Sequence, residues 1–166
     1  MSEEQFIRRD RMRFTKNTLS STLVIVAIIF NVFYFINIYK SDVGHNVGNF
    51  YYQIRIGASI IYNLVFMLAA FLSSEGVKNY KIEYCYALLL IGALQIVRIF
   101  ILPAQASAAE VTIGGNVYRV METAQHIRVV IYLLISAACC LAGGVIGIIR
   151  CRELSAHLAS LQENRS

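Results

Sequence analysis

The sequence predicts an all-α membrane protein: a bundle of four transmembrane helices with a small extracytoplasmic β-hairpin between helices 3 and 4. Three observations predict it. The apolar fraction is 57% in a chain of 166 residues, and the mean hydropathy is +0.58, a combination ordinary for integral membrane proteins and uncommon in soluble domains. Four apolar runs are long enough to cross ~30 Å of hydrocarbon. One stretch between the last two runs, "EVTIGGNVYRV" from Glu110 to Val120, alternates around a glycine pair instead.

The runs are about Thr18 to Tyr39, Arg55 to Ser73, Tyr84 to Leu102 and Arg128 to Ile149. In lipid every backbone polar group must find its partner within the segment or a closed barrel. These runs are continuous and lack a barrel's period-two alternation, so they are expected to be helices. Residues 1–166 are taken as one membrane domain. The first run is too long for a signal-peptide core and no small-residue cleavage pattern follows it.

Orientation follows from Lys and Arg. The N-terminal tail carries Arg8, Arg9, Arg11, Arg13 and Lys16; the middle loop carries Lys78 and Lys81; the C-terminal tail carries Arg150, Arg152 and Arg165. Both termini and the 74–83 loop are therefore expected in the cytoplasm, with loops 41–54 and 103–127 outside. The simple tails, without sorting signals, suggest a prokaryotic plasma membrane. Tyr34, Tyr39, Phe50, Tyr51 and Tyr52 would form an outer aromatic belt, and Tyr80, Tyr84 and Tyr86 an inner one. The net charge of +5 is read as topology and contact with anionic headgroups, not as nucleic-acid binding. The basic tail "EEQFIRRDRMRFTKN" is expected along the inner leaflet. Leu154, Leu158 and Leu161 sit at helical spacing, so the fourth helix should continue past the lipid.

Gly114-Gly115 suits a two-residue type I′ turn, which needs positive φ at both positions. That turn sets the register: Ile113 opposite Asn116, Thr112 opposite Val117, Val111 opposite Tyr118 and Glu110 opposite Arg119. Val111, Ile113, Tyr118 and Val120 then share an apolar face. A lone hairpin is marginal in water, so that face must lie on the bundle as a lid or on a partner chain.

Polar residues inside the spans carry the functional argument. Asn31, Asn63, Gln95 and Ser136 each lie eight residues from the outer end of their own run. At ~1.5 Å per residue all four fall about 12 Å deep. Facing inward they make a polar layer, either an interhelical clamp or the lining of a polar path. Arg98 lies one turn outward from Gln95 on the same face. No Asp or Glu lies inside any run. Arg98 is therefore expected to snorkel outward, to pair with Glu110, Glu122 or Asp42, or to meet an anion or partner supplied from elsewhere.

The missing intramembrane carboxylates argue against a proton-coupled multidrug antiporter. Cys85, Cys139, Cys140 and Cys151 include no C-x-x-C and no outward pair, which argues against disulfide chemistry in the membrane. His45, His126 and His157 are scattered, without metal-site spacing. No catalytic motif is evident, and no enzyme activity, metal or cofactor is expected. In the fourth run Cys139, Gly143 and Gly147 repeat every four residues, a small-residue face suited to packing within the bundle or against a second protomer. The first functional expectation is a small membrane subunit, a homo-oligomer or the partner of a larger membrane complex, assembled through this helix and the hairpin. The alternative is a transporter or channel with a cationic intramembrane path, suited to anions.

Overall fold

The computed structural model describes residues 3–39, 50–113 and 116–163; the side chains of Glu3, Gln5, Arg8, residues 50–53, Arg55, 111–113, Asn116 and Tyr118 are outside what it describes. The chain is nearly all helical: α1 Glu3–Met12, α2 Thr18–Tyr39, α3 Phe50–Lys78, α4 Ile82–Ile99, α5 Leu102–Ala108 and α6 Thr123–Glu163. Four of these stretches are long and apolar enough to cross a membrane: Thr18–Tyr39, Ile56–Lys78, Ile82–Ala108 and Thr123–Glu163. The protein is thus a multi-helix protein of membrane type.

Each main helix buries one stripe at alternating spacings of three and four residues. On α2 the stripe is Val24, Ala27, Asn31, Tyr34 and Ile38; on α4 it is Cys85, Leu88, Gly92 and Gln95. This spacing lets each helix seat its side chains against a near-antiparallel neighbour along its whole length. Two apolar clusters result. One joins Val24, Phe66, Leu88 and Cys140. The other joins Tyr34, Ile38, Leu102, Met121 and Leu133 at the opposite end.

Helix ends depart from the hydropathy boundaries for physical reasons. α3 runs past Ser73 to Lys78 because Ser, Glu and Lys continue helical hydrogen bonding even where they would leave the hydrocarbon. α4 stops at Ile99, not Leu102. Pro103 has no N–H to give the Ile99 carbonyl and its ring would clash there. The chain turns at Phe100 and Ile101, and Pro103 falls in the first turn of the new helix α5. α6 is unbroken over 41 residues, about 60 Å long and twice the hydrocarbon thickness.

Two antiparallel strands, β1 Glu110–Ile113 and β2 Asn116–Arg119, follow α5 in the register Glu110–Arg119, Val111–Tyr118, Thr112–Val117 and Ile113–Asn116. The Gly114-Gly115 turn and the side chains of Val111, Ile113 and Tyr118 lie outside the described residues, as do Asp42 and the rest of 40–49. The base of the strand pair is tied down: the Val120 N–H donates to the Ala109 carbonyl at 3.0 Å, and Val120 and Met121 are buried beside Leu102 and Val129.

α1 packs on the extension of α6, with the Phe6 ring edge-on to His157 at 5.2 Å. His157 Nε2 is 3.5 Å from Asp10 Oδ1. This gives His157 a buried, protein-lined place.

Candidate functional site

The inward stripes carry Asn31, Asn63, Gln95 and Ser136 to one level, and all four are 0% exposed. They bond one another across the four main helices. Asn31 Nδ2 donates to Asn63 Oδ1 at 3.3 Å. Gln95 Nε2 donates to Asn31 Oδ1 at 3.0 Å and lies 3.4 Å from Ser136 Oγ. The Ser136 hydroxyl donates in turn to the Ala27 carbonyl at 2.9 Å. A buried amide that lacked such partners would forfeit its hydration without return. The four side chains bond one another across the bundle, which is the geometry of a clamp more than of an open path. One donor is left over: among the described residues Asn63 Nδ2 has no acceptor.

Arg98 turns into this layer. The guanidinium does not snorkel outward, and among the described residues no carboxylate pairs with it; Glu110 and Glu122 are exposed. Its Nη1 donates to Asn31 Oδ1 at 3.3 Å and to Gln95 Oε1 at 3.5 Å. Its Nη2 donates to Ser59 Oγ at 3.4 Å. Two rings flank it, Tyr34 at 4.3 Å and Tyr62 at 4.8 Å from guanidinium carbon to ring centre. Aromatic faces attract a cation, by ~2 kcal/mol or more once water is gone. Arg98 is only 4% exposed. The result is a full positive charge held by neutral acceptors and π-faces.

Sequence reasoning missed the rest of this shell. Residue type places Tyr34 in an outer aromatic belt, yet it is fully buried against Arg98. The spacing carried the signal: Tyr34 lies three residues after Asn31, and Ser59 four before Asn63, so each shares its polar neighbour's helix face. Beside the shell, a cavity of about 250 Å³ opens between α3 and α4, lined by Ala58, Ser59, Tyr62, Leu94, Val97 and Arg98, with Ile101 and Leu102 at one end. Its walls are apolar except at Ser59, Tyr62 and Arg98.

The small residues of α6 pack against neighbours within the same chain, one of the two placements their spacing allows. Gly143 and Gly147 are not left free for a second protomer. A Cβ on Gly143 would stand 3.3 Å from the Ser20 carbonyl of α2, and one on Gly147 would stand 2.7 Å from Cys85 Sγ of α4. A Cβ on Gly144 would stand 3.0 Å from the Cys85 carbonyl. These glycines let α2 and α4 approach α6 within the same chain. Cys139 is half-buried on the flank of this face, and all four cysteines are free thiols. Among the described residues no group of His, Cys, Asp and Glu could hold a metal ion.

Fold and site together define a helical protein of membrane type, with four helices long and apolar enough to cross a membrane and a buried arginine lining an otherwise apolar groove between two of them. No protein-family model, curated protein or solved structure matches the chain.

Proposed function

We propose that this chain is an integral membrane protein that takes an anionic amphiphile from the bilayer, its headgroup at Arg98 and its tail along the apolar groove between α3 and α4. One observation carries the reading: a buried guanidinium, with no carboxylate partner among the described residues, lines a cavity whose other walls are almost wholly apolar. Charges at membrane depth are costly, and they mark ligand or ion sites by default. Asn31 and Gln95 aim the guanidinium, and Tyr34 and Tyr62 stabilise it while the site is empty. This reading is nearer to the transport alternative than to a pore, because the layer's side chains bond one another across the bundle. We place both termini on the cytoplasmic side, by the distribution of Lys and Arg, and the strand pair on the outside. The groove is then near the outer leaflet.

The test uses the purified full chain in neutral-lipid nanodiscs with a photoreactive fatty acid. The carboxylate probe should label α3 and α4 near Tyr62 and Val97, and its methyl ester should not. Ala58→Phe, which fills the groove from its surface, and Arg98→Gln should each abolish the preference. Equal labelling by acid and ester, or full labelling of both variants, refutes the proposal.

A second reading, the membrane subunit, is favoured by the outward face of α3, where Ile61, Leu64, Val65 and Leu68 are 56–64% exposed. A partner helix could lie there and present a carboxylate to Arg98. Assembly that is lost on Ala58→Phe, with no amphiphile labelling in the free chain, would select it.

A further inference from the structure

The end of the bundle that carries both termini holds a second, independent concentration of charge. Two cavities of about 180 and 350 Å³ meet there, sharing Met12, Thr15, Lys16 and Tyr80 as common wall. They form one trough between the turn after α1, the turn after α3 and the extension of α6. Five cations line it, Arg11, Arg13, Lys16, Lys78 and Arg150, and no described carboxylate does. Two of the five are already paired at their outer edges: Arg13 with Asp10 at 3.0 Å and Lys78 with Glu75 at 3.1 Å. Arg11, Lys16 and Arg150 have no carboxylate partner among the described residues.

The trough is built, not merely decorated. Asn17 is 0% exposed beneath it. Its N–H donates to the Lys78 carbonyl at 3.0 Å, its Nδ2 to Ser20 Oγ at 3.0 Å, and its Oδ1 accepts from Arg150 Nη1 at 2.7 Å. Through its backbone N–H and its side chain, this one residue joins α2, the end of α3 and α6, and its Oδ1 fixes where the Arg150 fork points. Tyr80 closes α3 with φ of 58°, a left-handed conformation usual for glycine. Its ring thereby enters the trough wall. Like charges gathered around one void repel, and their summed potential draws a multiply charged anion. Arginine forks match the oxygens of a phosphate bidentately, and lysine adds a point charge.

The geometry points to this trough as a binding site for a phosphate group, supplied either by a phospholipid headgroup or by a soluble phosphate compound. Arg11, Lys16 and Arg150 are its principal contacts, approaching from different segments of the chain. Basic pockets between transmembrane helices hold phosphorylated headgroups by this chemistry. Met12 and Leu154 give the walls the apolar surface a glycerol backbone would meet.

The experiment uses the full chain in detergent with two probes: inorganic pyrophosphate by equilibrium dialysis, and phosphatidic acid in competition with phosphatidylcholine, read as retained lipid by native mass spectrometry. Arg11→Gln with Lys16→Gln removes two surface cations whose loss leaves folding intact. It should weaken the bound probe about 25-fold, at roughly fivefold per cation. Arg119→Gln with Arg152→Gln, which removes two charges elsewhere, should leave binding unchanged. Pyrophosphate binding identifies a soluble ligand. Retention of phosphatidic acid without pyrophosphate binding identifies a headgroup. Binding of neither probe, or equal losses in both double variants, overturns the site.

Discussion

Asn31 offers the most discriminating perturbation. Its Oδ1 accepts from both Gln95 and Arg98, and its Nδ2 donates to Asn63. Asn31→Leu keeps the volume close to constant and deletes all three bonds. The two amide contacts are worth ~0.6 kcal/mol each, as interhelical bonds in membranes average. The bond from the guanidinium is of the charged kind, worth ~1.5–3 kcal/mol. The expected loss is about 3–4 kcal/mol. Ser136→Ala loses only the Ser136 bonds to the Ala27 carbonyl and Gln95, about 1 kcal/mol on the same scale. The larger part of the Asn31 effect comes from leaving the Arg98 charge under-satisfied. Adding Arg98→Met should therefore cost nothing more, and the double variant should be at least as stable as Asn31→Leu alone. Reversible unfolding in mixed detergent micelles, followed by far-UV circular dichroism, measures the wild type, Asn31→Leu, Arg98→Met, their double variant and Ser136→Ala. Additive losses in the double variant, or an Asn31→Leu cost under about 1 kcal/mol, would show that Arg98 is not held by this layer.

Other substitutions probe the close packing and the α1 contact. Gly144→Leu should destabilise the fold by about 1–3 kcal/mol, because a Cβ there already stands 2.9 Å from Leu89 Cδ2 and 3.0 Å from the Cys85 carbonyl; the same unfolding assay checks it, with Ala142→Leu on the exposed flank as the silent control. Gly76→Leu should disturb the turn after α3, since its side chain would overlap the Tyr84 ring; slower migration or loss of monodispersity on size exclusion reports it. The Asp10 carboxyl is held below the ordinary range, first by the Arg13 hydrogen bond and further by His157. A depressed carboxylate stabilises the folded state above its ordinary pKa of about 3.9 and loses that contribution as pH falls through the lower folded value. Protease cleavage of α1 should therefore rise on acidification below about pH 4, and Asp10→Asn should remove that dependence while raising cleavage at neutral pH.

Much of the architecture was legible because lipid imposes simple rules. A run such as Thr18–Tyr39 has no alternative to helix, and its bounds coincide with α2. The depth of Asn31, Asn63, Gln95 and Ser136 could be counted from helix ends, since rise per residue is fixed. Facing direction was harder. Hydropathy is nearly uniform around a membrane helix, so it does not mark the inward stripe as it does in a soluble one. Tyr34 was misread for that reason: its type suggested an interface, while its spacing from Asn31 put it in the core. The glycines of α6 were visible as a close-packing face, but the sequence does not say whose helix fills it. The convergence of Arg11, Lys16 and Arg150 was not visible at all, because it depends on α1 folding back onto an extension whose docking partner no local pattern names.

The uninterrupted course of α6 has one more consequence. Ser136 in the polar layer and His157 under α1 belong to the same rod, 21 residues or about 31 Å apart. Because α6 is continuous between them, a twist imposed at the amide layer would be carried along it towards the terminal helix. Amphiphile binding at Arg98, as proposed, would then be felt at α1. Inserting a proline at Ser155 should sever that relay, and unchanged α1 protection upon amphiphile addition to the intact chain would show that none exists.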